Sequence, residues 1–333
     1  MRRREFIGLL GGVTVLPLAA QAQQTEPMRR IGVLQGGRDD PHDPLSQPNT
    51  AAFLQALQQL GWTDGRNVKI DYRWSLGDAD KARRYASEVV ALAPDVILAV
   101  GSVNLTPLLQ ATRTVPIVFV GVVDPVGAGY VESLSRPGGN ATGFVFFDYG
   151  LSSKWLELLK QIAPGVTRVA VLRDPAITSG IGQFAVMQYV APSVGVELSP
   201  VDVRDASEIE RALAALARLA SGGLIVAASP VSLVHRERII ALAARHRLPT
   251  IYFLRDFVSG GGLISYGPDV TEHFRRAAVY VDRLLKGEKP ADLPVQAPTK
   301  YELVRSLTSR PRRHLASRSH PRCSRALTKS SNK

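Results

Sequence analysis

Eight residues of this 333-residue chain have the types and positions needed to grip a small charged molecule: Gln35, Gly36, Gly101, Ser102, Asp124, Asp174, Ser229 and Asp256. All sit in loops that follow short apolar runs. Gly101-Ser102 offers backbone N–H groups that an anion can approach closely, because nothing larger than a hydroxymethyl stands in the way. Asp256 offers a carboxylate for an ammonium group, with a solvated loop carboxylate as the competing reading. Asp124-Pro125 and Asp174-Pro175 read equally well as helix caps with Pro in the first turn. Asp39, Asp40, His42 and Asp43 crowd one long polar loop and read as solvated.

Catalytic patterns are missing from the sequence. There is no G-x-S-x-G elbow and no G-x-x-x-x-G-K-[ST] phosphate loop. Gly127-Ala-Gly129 fails as a dinucleotide fingerprint because Glu132 stands where the third Gly belongs. Six scattered His and the single Cys323 show no metal-ligand spacing, and one Cys allows no internal disulfide. His235 and His246, in one helical segment and at its end, suit solvated or capping roles. We therefore expect no catalytic residue, no metal and no cofactor.

The elements that position these loops follow from periodicity. Strands are expected at 31–34, 68–72, 96–100, 117–120, 169–172, 198–203, 224–227 and 250–253. Helices are expected between them, at 50–60, 79–92, 103–111, 153–162, 181–194, 206–220 and 233–245. Apolar strands alternating with helices imply parallel sheets covered on both faces, an α/β fold with doubly wound order.

The order of these runs repeats. Arg30-Ile-Gly-Val-Leu34 returns as Arg168-Val-Ala-Val-Leu172. Pro94-Asp-Val-Ile-Leu-Ala99 has a looser echo in Gly222-Gly-Leu-Ile-Val-Ala227, and Val115-Pro-Ile-Val-Phe119 matches Leu248-Pro-Thr-Ile-Tyr252. One match would be chance; three in order argue for two similar α/β lobes. Ligands of such lobes lie at the carboxyl ends of the strands. That is why the loops after matched strands hold the eight candidates.

The net charge of +12 suggests a nucleic-acid partner until it is located. Residues 305–333 carry nine Lys/Arg and no acid, and residues 1–22 contribute +2, leaving +1 for the body. The body is therefore nearly neutral, so the whole-chain charge says nothing about its partner, and no nucleic-acid partner is expected. Residues 1–22 read as an export signal: Arg2, Arg3 and Arg4, an apolar stretch at 7–20, and Ala20-Gln21-Ala22 as cleavage site. Arg3-Arg4 resembles a twin-arginine motif without its usual Ser/Thr, so either Tat or Sec export fits. The stretch is too short and too broken to span a membrane, so the mature chain should be soluble. The tail at 305–333, with Cys323, lacks apolar periodicity and reads as disordered.

The start Met1-Arg-Arg-Arg-Glu-Phe-Ile7, Leu60-Gly-Trp62, Gly65-Arg-Asn-Val68, Ile70-Asp-Tyr-Arg-Trp74, Asp124-Pro-Val-Gly127 and above all Ser135-Arg-Pro-Gly-Gly-Asn-Ala-Thr-Gly143 occur together. In these motifs the chain resembles the ABC-transporter substrate-binding proteins related to tryptophan-binding lipoproteins. The resemblance implies a type I periplasmic binding fold, two lobes joined by a three-crossover hinge. Lobe one would hold residues 28–146 and 267–294, lobe two 147–266 and 295–304, with crossovers near 144–149, 264–268 and 294–298. Family members continue after a segment like Lys300-Tyr-Glu-Leu-Val304 into an apolar helix. Here the basic tail follows instead, which a shifted reading frame near Val304 would explain.

The implied function is a periplasmic solute receptor of an ABC importer, a monomer that clamps a small ligand and delivers it to a permease in the inner membrane. An amino acid or related molecule fits, its carboxylate near Gly101-Ser102 and its ammonium near Asp124 or Asp256. Tyr149, Tyr252 or Phe257 offer apolar surface for its side chain, or core packing. The alternative is an exported α/β enzyme or ligand-sensing domain using the same cleft. Intracellular repressors of similar fold carry a DNA-binding helix pair where this chain has its signal.

Overall fold

The computed structural model describes residues 28–36, 46–175, 177–219 and 221–306. The leader at 1–22, the polar loop with Asp39, Asp40, His42 and Asp43, and the tail from 307 with Cys323 lie outside the described residues. The elements run β1 (Arg29–Gln35), α1 (Ser46–Gln59), β2 (Val68–Trp74), α2 (Ala79–Ala91), β3 (Val96–Val100), α3 (Ser102–Ala111), β4 (Ile117–Val122) and β5 (Ala141–Val145). Then come α4 (Leu151–Ile162), β6 (Arg168–Arg173), α5 (Thr178–Val190), β7 (Glu197–Asp202), α6 (Ala206–Leu216), β8 (Gly222–Val226), α7 (Pro230–Val234), α8 (Arg236–Arg245) and β9 (Thr250–Tyr252). The described chain closes with α9 (Arg255–Ser259), β10 (Ile264–Pro268), α10 (Val270–Leu285) and β11 (Tyr301–Arg305).

Two sheets result. The first has the order β2-β1-β3-β4-β5, and the second β11-β10-β9-β8-β6-β7. Placing β6 on β1 and counting onward gives the same order for five strands of each sheet, with β11 added at the edge of the second, so the sequence echo is a structural duplication. All described pairings are parallel except β10 with β11. Side-chain alternation explains the runs of apolar residues. Ile31, Val33, Val96, Leu98, Val118 and Val120 join one buried cluster with α10, whereas Leu34, Ile97, Ala99, Ile117 and Phe119 join another on the opposite face. Edge strand β7 is the exception: it is mostly exposed and carries Pro200, which an edge tolerates.

The chain passes between the sheets three times. The first passage lies between β5 and α4, at 146–150, overlapping the expected 144–149. The second lies at Asp269, because 264–268 is itself a strand of the second sheet. Gln296 still pairs with the first sheet, its N–H donating to Gly143 O at 2.9 Å and its carbonyl accepting from Val145 N at 2.8 Å. The third passage therefore falls after it, and the strand that follows runs through Arg305, one residue into the expected tail. Helix α4, which follows the first sheet, packs on the second; α10, which follows the second, packs beside α1 on the first. No described helix is long and apolar enough to cross a membrane.

Candidate functional site

A cavity of about 210 Å³ lies between the lobes, at the carboxyl ends of both sheets. Gln35 and Gly36 enter it from β1, Val100 to Val103 from β3, and Val120, Gly121 and Val123 from β4. Lobe two supplies Ala228, Ser229 and Pro230 after β8, Phe253, Leu254 and Asp256 after β9, and Ile177 and Ser179 after β6. The loops after all three matched strand pairs thus converge, as the duplication requires.

The duplication is broken where it matters. Helix α3 starts at Gly101, whose φ of 82° and ψ of 156° turn the chain without a side-chain cap. Its first-turn N–H groups, at Ser102 and Val103, have no acceptor within the helix. Asn104 fixes that turn in place, its Nδ2 donating to Val100 O at 2.7 Å. The matched turn in lobe two closes on itself. Ser229 caps α7 by accepting from Ser232 N at 3.0 Å, and Pro230 has no N–H to offer. At this matched pair only α3 presents an uncapped, anion-seeking start. In lobe two the starts of α5 and α9, at Ile177 and Leu254, also lack a side-chain cap and line the cavity.

Asp256 lines the cavity in the first turn of α9, a short helix where the sequence suggested none. Gln35, Gly36, Gly101, Ser102 and Ser229 line it too. Asp124 and Asp174 are not among the lining residues. Asp124 occupies a left-handed turn with φ of 49° and accepts from Gly127 N at 2.8 Å, so it caps a turn rather than a helix. Its charge, after burial, also raises the Tyr149 phenol. Asp174 is buried just beyond β6, and the α5 N-cap is Ile177. Neither Asp-Pro pair starts a helix.

The walls are mostly apolar. Phe146 from the first passage meets Phe253 edge-on, ring centroids 6.2 Å apart, and Phe274 of α10 completes the aromatic lining. Tyr252 and Phe257, expected as ligand surfaces, instead stack on each other at 4.9 Å inside lobe two. Tyr149 is also outside the lining. Sequence reasoning missed Asn49, Ser179 and Arg236, all of which reach the cavity from helices. Arg236 is a buried guanidinium with Glu237 at 3.7 Å. It opens α8 because the helix expected over 233–245 breaks at His235. His246 is the α8 C-cap residue.

Residues 42–313 match the profile of the ABC transporter substrate binding proteins. The chain belongs to that family. This substrate-binding protein is 28% identical over 258 residues to a tyrosine-binding protein of Clostridioides difficile, a match covering 76% of this chain and 72% of the relative. It superposes with a TM-score of 0.78 and 26% identity on a conserved domain protein from Vibrio cholerae, covering 84% of this chain and 93% of that one. With 24% identity and a TM-score of 0.74 it shares the fold of an ABC domain from Streptococcus pneumonia in complex with L-Trp, covering 82% and 90%. The family binds solutes and is not enzymatic. The substrate-binding protein's match continues past Val304 into the segment expected as tail.

Proposed function

We propose that this protein is the extracytoplasmic receptor of an ABC importer, exported to the periplasm and clamping an aromatic amino acid for delivery to an inner-membrane permease. The observation that carries this reading is the division of labour in the cavity. Lobe one brings the uncapped start of α3, lobe two brings the Asp256 carboxylate, and aromatic walls lie between. A zwitterion with an apolar side chain satisfies all three. The space is adequate: an apolar cavity of roughly 150 Å³ accepts a benzene ring, and this one is about 210 Å³ with polar groups at its margin. The relative named for tyrosine and the neighbour holding L-Trp point the same way.

A sugar or polyol is the competing ligand class. Its hydroxyls need polar partners around the whole ring, whereas Val100, Val103, Val120, Val123, Leu233 and Val234 form much of this wall. Gln35, Gly36, Gly101, Ser102, Ser229 and Asp256 are the contact residues we assign, with Arg236 and Asn49 added. Asp124, which closes its own turn through Gly127 N, and buried Asp174 are left out of the assignment.

Binding to the native state raises its stability by about 2.7 kcal/mol at a hundredfold excess over Kd. Calorimetry of the full chain with L-tyrosine, L-tryptophan, L-lysine and myo-inositol tests the reading. Stabilisation by the aromatic amino acids alone is expected. Stabilisation by the polyol, or by none of the four, would reject the aromatic assignment.

A further inference from the structure

Beyond the cavity, the lobes also meet where Gly77 of lobe one faces the first turn of α7. Residues 75–78 form a tight turn in which Leu76 has φ of 57° and Gly77 φ of 75°, and Asp78 N donates to Ser75 O at 3.0 Å. Both ends are pinned. Buried Ser75 donates its N–H to Gln35 O at 2.9 Å, and Asp78 caps α2 through Asp80 N and Lys81 N. A Cβ built on Gly77 would stand 3.0 Å from Pro230 Cβ and 4.0 Å from Val234 Cγ2. Both of those residues line the cavity; Gly77 does not. The opposing surface is equally stiff, since Ser229 and Ser232 share a hydroxyl contact at 2.8 Å and Ser232 Oγ donates to Ala227 O.

We propose that the 75–78 turn is the stop against which lobe two closes, and that the missing side chain at Gly77 sets how far the clamp shuts. This rests on the reading of the cavity as a ligand clamp. Ligand is held from both sides, so its affinity depends on how completely the lobes approach. A larger residue at position 77 holds them apart without touching the ligand. Gly77 is thus a positioning residue for binding, acting through Pro230 and Val234.

Gly65 supplies a matched control. Its φ of 77° equals that of Gly77 within 2°, and a Cβ there meets nothing within 4 Å. Asn is the side chain that best tolerates positive φ, so it is the substitution used at both positions. In the full chain, Gly77→Asn is expected to raise Kd for L-tyrosine or L-tryptophan at least tenfold, while Gly65→Asn leaves it unchanged; the two variants should melt alike without ligand. Equal Kd values for Gly77→Asn and wild type would overturn the proposal.

A second measurement needs no ligand. With Cys323→Ser as background, the pair Gly77→Cys and Pro230→Cys should form a disulfide under mild oxidation, since a slight opening reaches the Cβ separation of about 3.5–4.5 Å that the bond requires. Failure to crosslink would mean that the surfaces do not meet, and the stop is rejected. Should wild type bind neither amino acid, the ligand reading falls and the crosslink alone decides the stop.

Discussion

His273 stacks on Phe144, ring centroids 6.3 Å apart and planes 22° from parallel, at the start of α10 inside lobe one. The imidazole is almost fully buried, and its Nδ1 has no hydrogen-bond partner. Burial, with the Arg276 guanidinium second, pushes its pKa down to about 4, against the opposing pull of Asp269 and Glu272. Arg276 itself lies 5.0 Å from the Phe144 ring centre, and Lys300 borders the same depression.

The sign of the pH effect follows. Below the ordinary histidine value of about 6.5 the unfolded chain takes up a proton that the native chain refuses until about pH 4. The stability this group contributes is therefore complete above pH 6.5 and is lost as pH falls from 6.5 toward 4. Denaturant titration should show wild type losing on the order of 2 kcal/mol between pH 7 and 4.5 that His273→Phe does not lose. Parallel pH curves for the two proteins would count against this assignment.

At the start of α3, the residue to change is Ser102. Gly101 has ψ of 156°, which a following proline accepts, and proline is well placed in the first turn of a helix. Ser102→Pro therefore removes one N–H donor with little cost to the fold. A hydrogen bond to a charged group is worth about 1.5–3 kcal/mol, so affinity for L-tyrosine should drop roughly 10- to 100-fold. Ser102→Ala, which keeps the N–H, should bind within a few fold of wild type by isothermal titration.

Asp256 can be separated from general packing by changing the ligand. Asp256→Asn should weaken L-tyrosine binding by tenfold or more, yet leave 3-(4-hydroxyphenyl)propionate, which lacks the ammonium group, at its wild-type affinity. Equal losses for both compounds would show that the carboxylate acts on the pocket and not on the ligand.

Trp155 predicts a stability effect without a binding effect. It is fully buried in lobe two, and its Nε1 donates to Tyr266 O at 2.7 Å. Trp155→Phe leaves that carbonyl without its partner and a space beside Phe147, whose ring meets the indole edge-on at 5.5 Å. A loss of about 2–4 kcal/mol is expected in urea unfolding, at unchanged slope.

The sequence carried the sheets well because burial on both faces leaves a plain mark. Every residue of 96–99 and 117–120 must be apolar when alternate side chains feed different cores. It also carried the turns at Gly36, Gly101, Ser102 and Ser229, since those follow matched strands. Side-chain direction was not written in the same way. Tyr252 and Phe253 are adjacent aromatics at a strand end, and both pack on Phe257, yet only Phe253 reaches the cavity lining. Asn49 and Arg236 come from helices that no strand-end rule inspects. Asp124 and Asp174 look alike as Asp-Pro pairs, but the chain beyond them turns before any helix begins.

The exchange of α4 and α10 between the lobes bears on the order in which the chain can fold. Trp62 Nε1 donates to Asp282 at 2.8 Å, and Thr271 Oγ1 to Asn49 at 3.0 Å, across more than two hundred residues in each case. Apart from its edge strand β11, lobe two is one continuous stretch from α4 to β10, so its nucleus can form from local contacts. The sheet face of lobe one with Ile31, Val33 and Val118 stays bare until α10 has been made. The half synthesised first thus waits longest for the helix that covers it, and a chain stopped before residue 270 leaves the ribosome with that face open to any holding chaperone or to another copy of itself.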